Sequence, residues 1–174
     1  MTNSIKIRKA TQQDAQQIAK VHVDSWRTTY RGIVPDSLLD SMSYDKREKK
    51  WKRKIPEDIL FIAEKNDGMV VGFASGGNER QQLYTGYDSE VYAIYILNEY
   101  QKRGIGRRLI RAVAQELSKQ GFKALLIWVL EDNDSKHFYE AIGGQQLGHA
   151  QLEIGGELFT ETAYGWTDIR ELLK

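Results

Sequence analysis

Apolar residues recur along this chain at two different periods, and the places where the period changes mark out its elements. Ile5-Lys6-Ile7-Arg8-Lys9 alternates as a half-buried strand does, and Thr11 followed by Asp14 reads as a capping box opening a helix. In that helix Ala15, Ile18, Ala19, His22 and Trp26 share one face. A second helix is predicted from about Tyr44 to Lys54, stopped by Pro56. Ile59 to Glu64 and Met69 to Ala74 are strand-like and flank Asn66-Asp67-Gly68, whose Asp-Gly pair predicts a hairpin. Gly76 to Ser89 is polar and turn-rich, which predicts a surface loop ahead of a strand from Glu90 to Leu97.

From Gly104 to Gln120 the helical period returns, with Ile105, Leu109, Ile110, Val113, Ala114 and Leu117 on one face and Gly121 as the stop. Ala124 to Leu130 is an almost unbroken apolar run, as a strand covered on both faces requires. Strand, helix and strand in this order form one crossover unit. A short helix from about Asp134 to Ile142 ends at Gly143-Gly144. Two last strands, roughly Gln146 to Glu153 and Glu157 to Trp166, surround a turn at Gly155-Gly156. Without a repeat, a linker or a break in composition, the reading is a single domain over residues 1–174.

Composition narrows the function more than the fold. The chain has 174 residues, with 25 basic against 24 acidic side chains and a formal net charge of +1. A general nucleic-acid binder would be far more basic, so no nucleic-acid partner is expected and any anion site must be local. The run of lysines and arginines from Lys46 to Lys54 reads as a solvated helix face. Cysteine is absent, which excludes disulfides, thiolate metal sites and an acyl-cysteine intermediate, and is consistent with a reducing cytoplasm. His22, His137 and His149 lack metal-ligand spacing, so no metal is expected. Met1 to Lys9 lacks the apolar stretch of a signal peptide, and no run reaches membrane-spanning length; a cytoplasmic protein without a membrane partner is the expectation.

The segment with most chemical content is Gln101-Lys102-Arg103-Gly104-Ile105-Gly106, between a predicted strand and a predicted helix. Backbone N–H groups at such a junction converge on the positive end of the helix dipole, and glycines let a bulky anion approach them. Lys102, Arg103, Arg107, Arg108 and Arg111 add positive charge there. By itself a G-x-G also serves a plain tight turn beside a solvated basic face. A P-loop is excluded because no Gly-Lys-Ser/Thr follows, and a dinucleotide fingerprint because Leu109 stands where its third glycine belongs.

The segment resembles the GCN5-related N-acetyltransferases, whose Gln/Arg-x-x-Gly-x-Gly/Ala motif is met at every fixed position by Gln101, Gly104 and Gly106. The preceding Ile94-Tyr95-Ile96 is similar to that family's apolar strand, although Asn98 replaces a common proline. Asn133, Ser135, Phe138-Tyr139 and Gly143 match the second half of its signature, with serine in place of the commoner alanine. The resemblance spans nearly the whole chain. It implies an α/β fold with a central, mostly antiparallel mixed sheet, splayed between strands four and five and flanked by helices.

It also implies acetyl-CoA as cosubstrate, its pantetheine arm in the splay and its pyrophosphate on the Gln101 to Arg107 cradle. Ile94, Tyr95, Ile105, Asn133, Ser135 and Phe138 would adjoin the cofactor, the Ile96 N–H would face the oxyanion, and the Tyr139 hydroxyl would protonate the leaving thiolate. Glu90, eleven positions before Gln101, is the candidate base by analogy with the histone-acetylating branch, with Asp88, Glu99 and a water chain as competitors. Trp26, Tyr30 and Tyr84 are candidates for the acceptor wall, or for core packing. The acceptor would be the primary amine of a small molecule or peptide; a homodimer stays open, as does a non-catalytic acyl-CoA sensing module.

Overall fold

The computed structural model describes residues 4–174; the first three residues of the N-terminal stretch lie outside the described residues. Seven strands, Ile5–Lys9 (β1), Ile59–Lys65 (β2), Val70–Asn78 (β3), Ser89–Ile96 (β4), Leu125–Leu130 (β5), Gln145–Ile154 (β6) and Glu157–Trp166 (β7), join in the order β1-β2-β3-β4-β5-β7-β6. Every neighbouring pair is antiparallel except β4 and β5. A parallel pair needs a long return path, and the helix Ile105–Lys119 (α4) supplies it. The helices Ala15–Thr29 (α1), Asp36–Ser41 (α2) and Tyr44–Lys54 (α3) separate β1 from β2, and Ser135–Ala141 (α5) follows β5.

α4 buries its whole expected apolar face, from Ile105 to Leu117, with each of those side chains at most 2% exposed. Covering one such aliphatic side chain is worth about 1.5–3 kcal/mol, so this stripe is what clamps α4 to the sheet. α1 covers the opposite face and is buried more broadly than its single stripe suggests, including Val21 and Val23. The reason is α3, which lies against it through Trp51: that indole N–H donates to His22 Nδ1 at 3.0 Å. His22 in turn stacks on Tyr95, 5.1 Å between centroids. Burial, with Arg47 and Lys50 nearby, lowers the His22 pKa to about 3, so the ring is neutral and can accept that bond.

The structure differs from the pattern-based expectation in three places. β3 runs on to Asn78, because Gly76 and Gly77 pair with Val91 and Glu90; the loop is correspondingly shorter. α2 was not expected: six residues are too short for a readable period, and the element is held instead by burial of Leu39 and by Arg27, which donates to the Leu39 and Met42 carbonyls at 3.1 Å. A last 3₁₀ turn, Ile169–Leu173, inserts Ile169 and Leu172 into the core. Among the described residues no helix is long and apolar enough to cross a membrane.

Candidate active site

β4 and β5 pair only at Ser89–Leu125, Glu90–Leu126 and Val91–Ile127, after which they separate. The cause lies in the register of β4 against β3: Ser75 is opposite Ala93 and Gly76 opposite Val91, leaving Tyr92 with no partner. That extra residue is a β-bulge, which bends its strand and sharpens its twist. It also reverses which amides point which way. Ser89 N–H donates towards β5, to the Ala124 carbonyl, whereas beyond the bulge Leu97 N–H donates to Val71 in β3. Antiparallel ladders alternate, so the N–H groups of Ile94 and Ile96 point away from β3, into the gap. The Ile96 carbonyl accepts the Gln101 side-chain amide at 3.0 Å.

At the gap's upper edge α4 begins behind Gly104, which is left-handed (φ +80°), with Lys102 also at positive φ. This backbone turns the N–H groups from Lys102 to Arg107 outward, and none of them donates to an acceptor among the described residues. Such a row of free amides at a helix start, with exposed Lys102 and Arg107 beside it, fits a pyrophosphate. Arg108 does not contribute, because its guanidinium reaches back to the Ile5 carbonyl at 2.8 Å. Arg103 lies over the Tyr100 ring, and Ile105 is core. A Cβ on Gly106 would sit 3.4 Å from both Ile96 and Phe138, so the phenyl ring closes the cradle's inner side.

α5 places Tyr139. Asn133 Oδ1 accepts the Ser135 N–H at 2.9 Å at the start of this helix, while its amide approaches the Tyr30 hydroxyl at 3.4 Å. At the other end Gly144 N–H bonds the Tyr139 carbonyl at 2.9 Å and Trp166 Nε1 bonds the Ile142 carbonyl at 3.1 Å. Tyr139 is 4% exposed, yet its hydroxyl has no hydrogen bond among the described residues and it lines the central cavity. Burial, with a smaller effect from Tyr95, raises its pKa above the ordinary phenol value, so the hydroxyl keeps its proton.

One cavity of about 1290 Å³ runs from the cradle past Ile94, Ile96 and Tyr139 to the α1 side of the sheet. There Trp26 and Tyr30 form part of its wall and also pack in the small core around Leu39. Tyr84 stands outside this lining: it packs on Trp128, and a Cβ on Gly148 would overlap its hydroxyl. Glu90 lines the cavity at 1% exposure, and its carboxylate accepts from the Arg80 backbone N–H, Nε and Nη2 at 3.2, 3.3 and 2.7 Å. The Arg80 guanidinium also lies 4.1 Å over the Tyr92 ring. Sequence reading missed Arg80 and a second cavity carboxylate, Glu161. The only signal for Glu161 was a charge inside the otherwise uncharged run from Leu158 to Trp166.

Comparison with known proteins agrees with this geometry. Residues 20–144 match the Acetyltransferase (GNAT) family. An uncharacterized N-acetyltransferase of Bacillus subtilis (strain 168) is 42% identical over 168 residues, covering 97% of this chain and 96% of the relative. A spermidine N(1)-acetyltransferase of Thermoplasma acidophilum is 27% identical, covering 75% of this chain and 81% of its own. Among solved structures, an N-acetyltransferase from Thermoplasma acidophilum in complex with coenzyme A superposes with a TM-score of 0.69 at 21% identity, covering 91% of this chain and 98% of that one. With the family matched over most of its length and a full-length relative above 40% identity, the chain belongs to the GNAT family and is an N-acetyltransferase.

Proposed function

We propose that this enzyme moves the acetyl group of acetyl-CoA to a primary amine of a small molecule, by direct attack within a ternary complex and in the cytoplasm. The observation that carries the reading is the single cavity joining the free amides of Lys102 to Arg107, the unbonded Tyr139 hydroxyl and the α1 face of the sheet. Thioester and amine can thus approach from opposite sides of the gap. The absence of cysteine leaves no thiol to hold the acetyl group in transit, which favours direct attack.

In this reading the pyrophosphate lies on the cradle, and Gln101, Ile94 and Phe138 border the arm that enters the gap. Asn133 and Ser135 fix the start of α5, and so the height of Tyr139. The amine arrives as an ammonium and must lose a proton; Glu90 and Glu161 are the carboxylates of that face, Glu90 being the one singled out by the sequence. Its nitrogen then attacks the thioester carbon, the Ile96 N–H stabilises the oxyanion, and the Tyr139 hydroxyl gives its proton to the departing sulfur. The spermidine acetyltransferase among the relatives supports a small amine as acceptor. The test is thiol release from acetyl-CoA with spermidine, an aminoglycoside, free amino acids and a lysine peptide. Acetylation of a small amine is expected; thiol release with the peptide alone, or with none of them, would overturn the reading.

A further inference from the structure

Glu161 lies in β7 opposite Leu130 of β5 and Ala150 of β6. It is 8% exposed and lines the cavity, yet among the described residues its carboxylate makes no hydrogen bond or ion pair. An ionised carboxylate buried without a partner is costly, and a fold keeps one where a cation comes to meet it. Glu90 is in the opposite situation, since Arg80 already supplies three donors to it.

Position separates the two further. Glu90 is level with Leu126, in the part of the sheet where β4 and β5 are still paired. Glu161 is level with Leu130, four residues or about 13 Å further along β5. Leu130 belongs to the cluster that Tyr95 packs against, so Glu161 stands beside the open gap where Ile94 and Ile96 turn their amides outward. Side chains alternate along β7: Tyr164 and Trp166 bond α5, whereas Gly165 faces Tyr87 on the other side. Glu161 shares the Gly165 side, opposite the one from which Tyr139 reaches the gap.

We propose that Glu161 binds the acceptor's reacting ammonium and takes its proton, with the Arg80-bound Glu90 as a fixed charge behind it. The inference rests on the acetyl-transfer reading above. The proton passes from R–NH₃⁺ to a Glu161 oxygen, leaving a carboxyl group and a free amine. The nitrogen lone pair forms the C–N bond at the thioester carbon, and the C–S bond breaks as the oxyanion's electron pair returns. Sulfur takes the Tyr139 proton, the phenolate recovers one from the new amide nitrogen, and Glu161 releases its proton through the cavity. The sum is ammonium plus thioester giving amide, thiol and one proton.

The groups facing Glu161 support this role. Burial and then the charge of Glu90 raise its affinity for a proton, and Arg80 opposes them. Of the other elements around it, β5 presents Trp128 and Leu130 and β6 presents Ala150; Leu130 in turn packs in the cluster that holds Tyr30, at the end of α1.

The experiment measures kcat/KM against pH for wild type, Glu161→Gln, Glu161→Asp and Glu90→Gln. It uses the best acceptor of the panel and follows coenzyme A affinity by calorimetry. Glu161→Gln is expected to lose about 10²- to 10⁴-fold at neutral pH with coenzyme A affinity unchanged. The loss should shrink as pH rises and solvent deprotonates the amine, with partial rescue in Glu161→Asp. Glu90→Gln should shift the rising limb to lower pH, because removing a neighbouring negative charge lowers the Glu161 pKa. Full activity in Glu161→Gln, or a loss equal at every pH, would overturn the assignment while leaving acetyl transfer standing. A wild-type protein that binds coenzyme A but acetylates no amine would instead refute the acetyl-transfer reading itself, and this inference with it.

Discussion

Replacing Tyr139 by phenylalanine removes one oxygen atom from a position where the surrounding protein makes no use of it. The hydroxyl has no hydrogen bond among the described residues, and the ring keeps its neighbours Phe138 and Tyr164, at 5.4 and 6.2 Å between centroids. No internal bond is lost, so unfolding free energy should change by less than about 0.5 kcal/mol; a buried partner would have cost about 1–3 kcal/mol. Coenzyme A affinity should be unchanged, since the cradle lies on α4. The rate of acetyl transfer should fall about 10²- to 10⁴-fold, the usual worth of a general acid, or about 2.7–5.4 kcal/mol of transition-state stabilisation. Single-turnover thiol release isolates the chemical step from binding and product release. The defect should shrink for an acyl donor with a more acidic thiol, which leaves without help. An equal defect with both donors, or none with either, would refute the role of Tyr139 as acid. A clear drop in melting temperature would show that the hydroxyl is structural.

Gly104→Glu puts a side chain on left-handed backbone and a negative charge among the free amides, so acetyl-CoA affinity measured by calorimetry should fall at least tenfold in a folded protein. Gly144→Ala forces a methyl to within 2.8 Å of the Tyr139 carbonyl and 2.9 Å of the Trp166 ring. It should cost about 1–3 kcal/mol in urea unfolding and lower kcat as α5 shifts, whereas unchanged values would mean the turn is slack. His22 has its folded pKa lowered to about 3, so the unfolded chain binds the extra proton. Its contribution is therefore complete above about pH 6.5 and is lost as pH falls from there towards 3, by up to about 1.4 kcal/mol per pH unit. Against pH, the stability of wild type should fall more steeply than that of His22→Gln below pH 6.5; parallel curves would exclude the histidine.

The two halves of the site were unequally legible in the sequence. The donor half is made of backbone, and backbone geometry is announced locally: Gly104 and Gly106 at a strand-to-helix junction carry their own meaning, as does the apolar stripe from Ile105 to Leu117. The other half is assembled across the chain. Arg80 meets Glu90 over a hairpin, Glu161 becomes a wall residue only because β7 lies beside β5, and Tyr30 reaches Asn133 from the far end of α1. No spacing encodes such meetings. Trp51 illustrates the same limit: a lone indole among the lysines and arginines of α3 is buried against His22 and Phe73. The place of Tyr84 is illegible for a related reason: its hydroxyl lies over the small residue Gly148 on another strand.

The bulge at Tyr92 makes the gap a matter of counting. β4 has one residue more than β3 can match, and that surplus both parts β4 from β5 and sets Ile94 and Ile96, rather than Tyr95, with their amides towards the gap. Substituting Tyr92 leaves the count intact. Deleting it would let the ladder run on in step and remove the bend that parts β4 from β5, closing the gap onto which the Ile94 and Ile96 amides open. In evolutionary terms the position should tolerate most side chains but no change in length, so that the part of the sequence most essential to opening this site is one that comparison of residue identities would pass over.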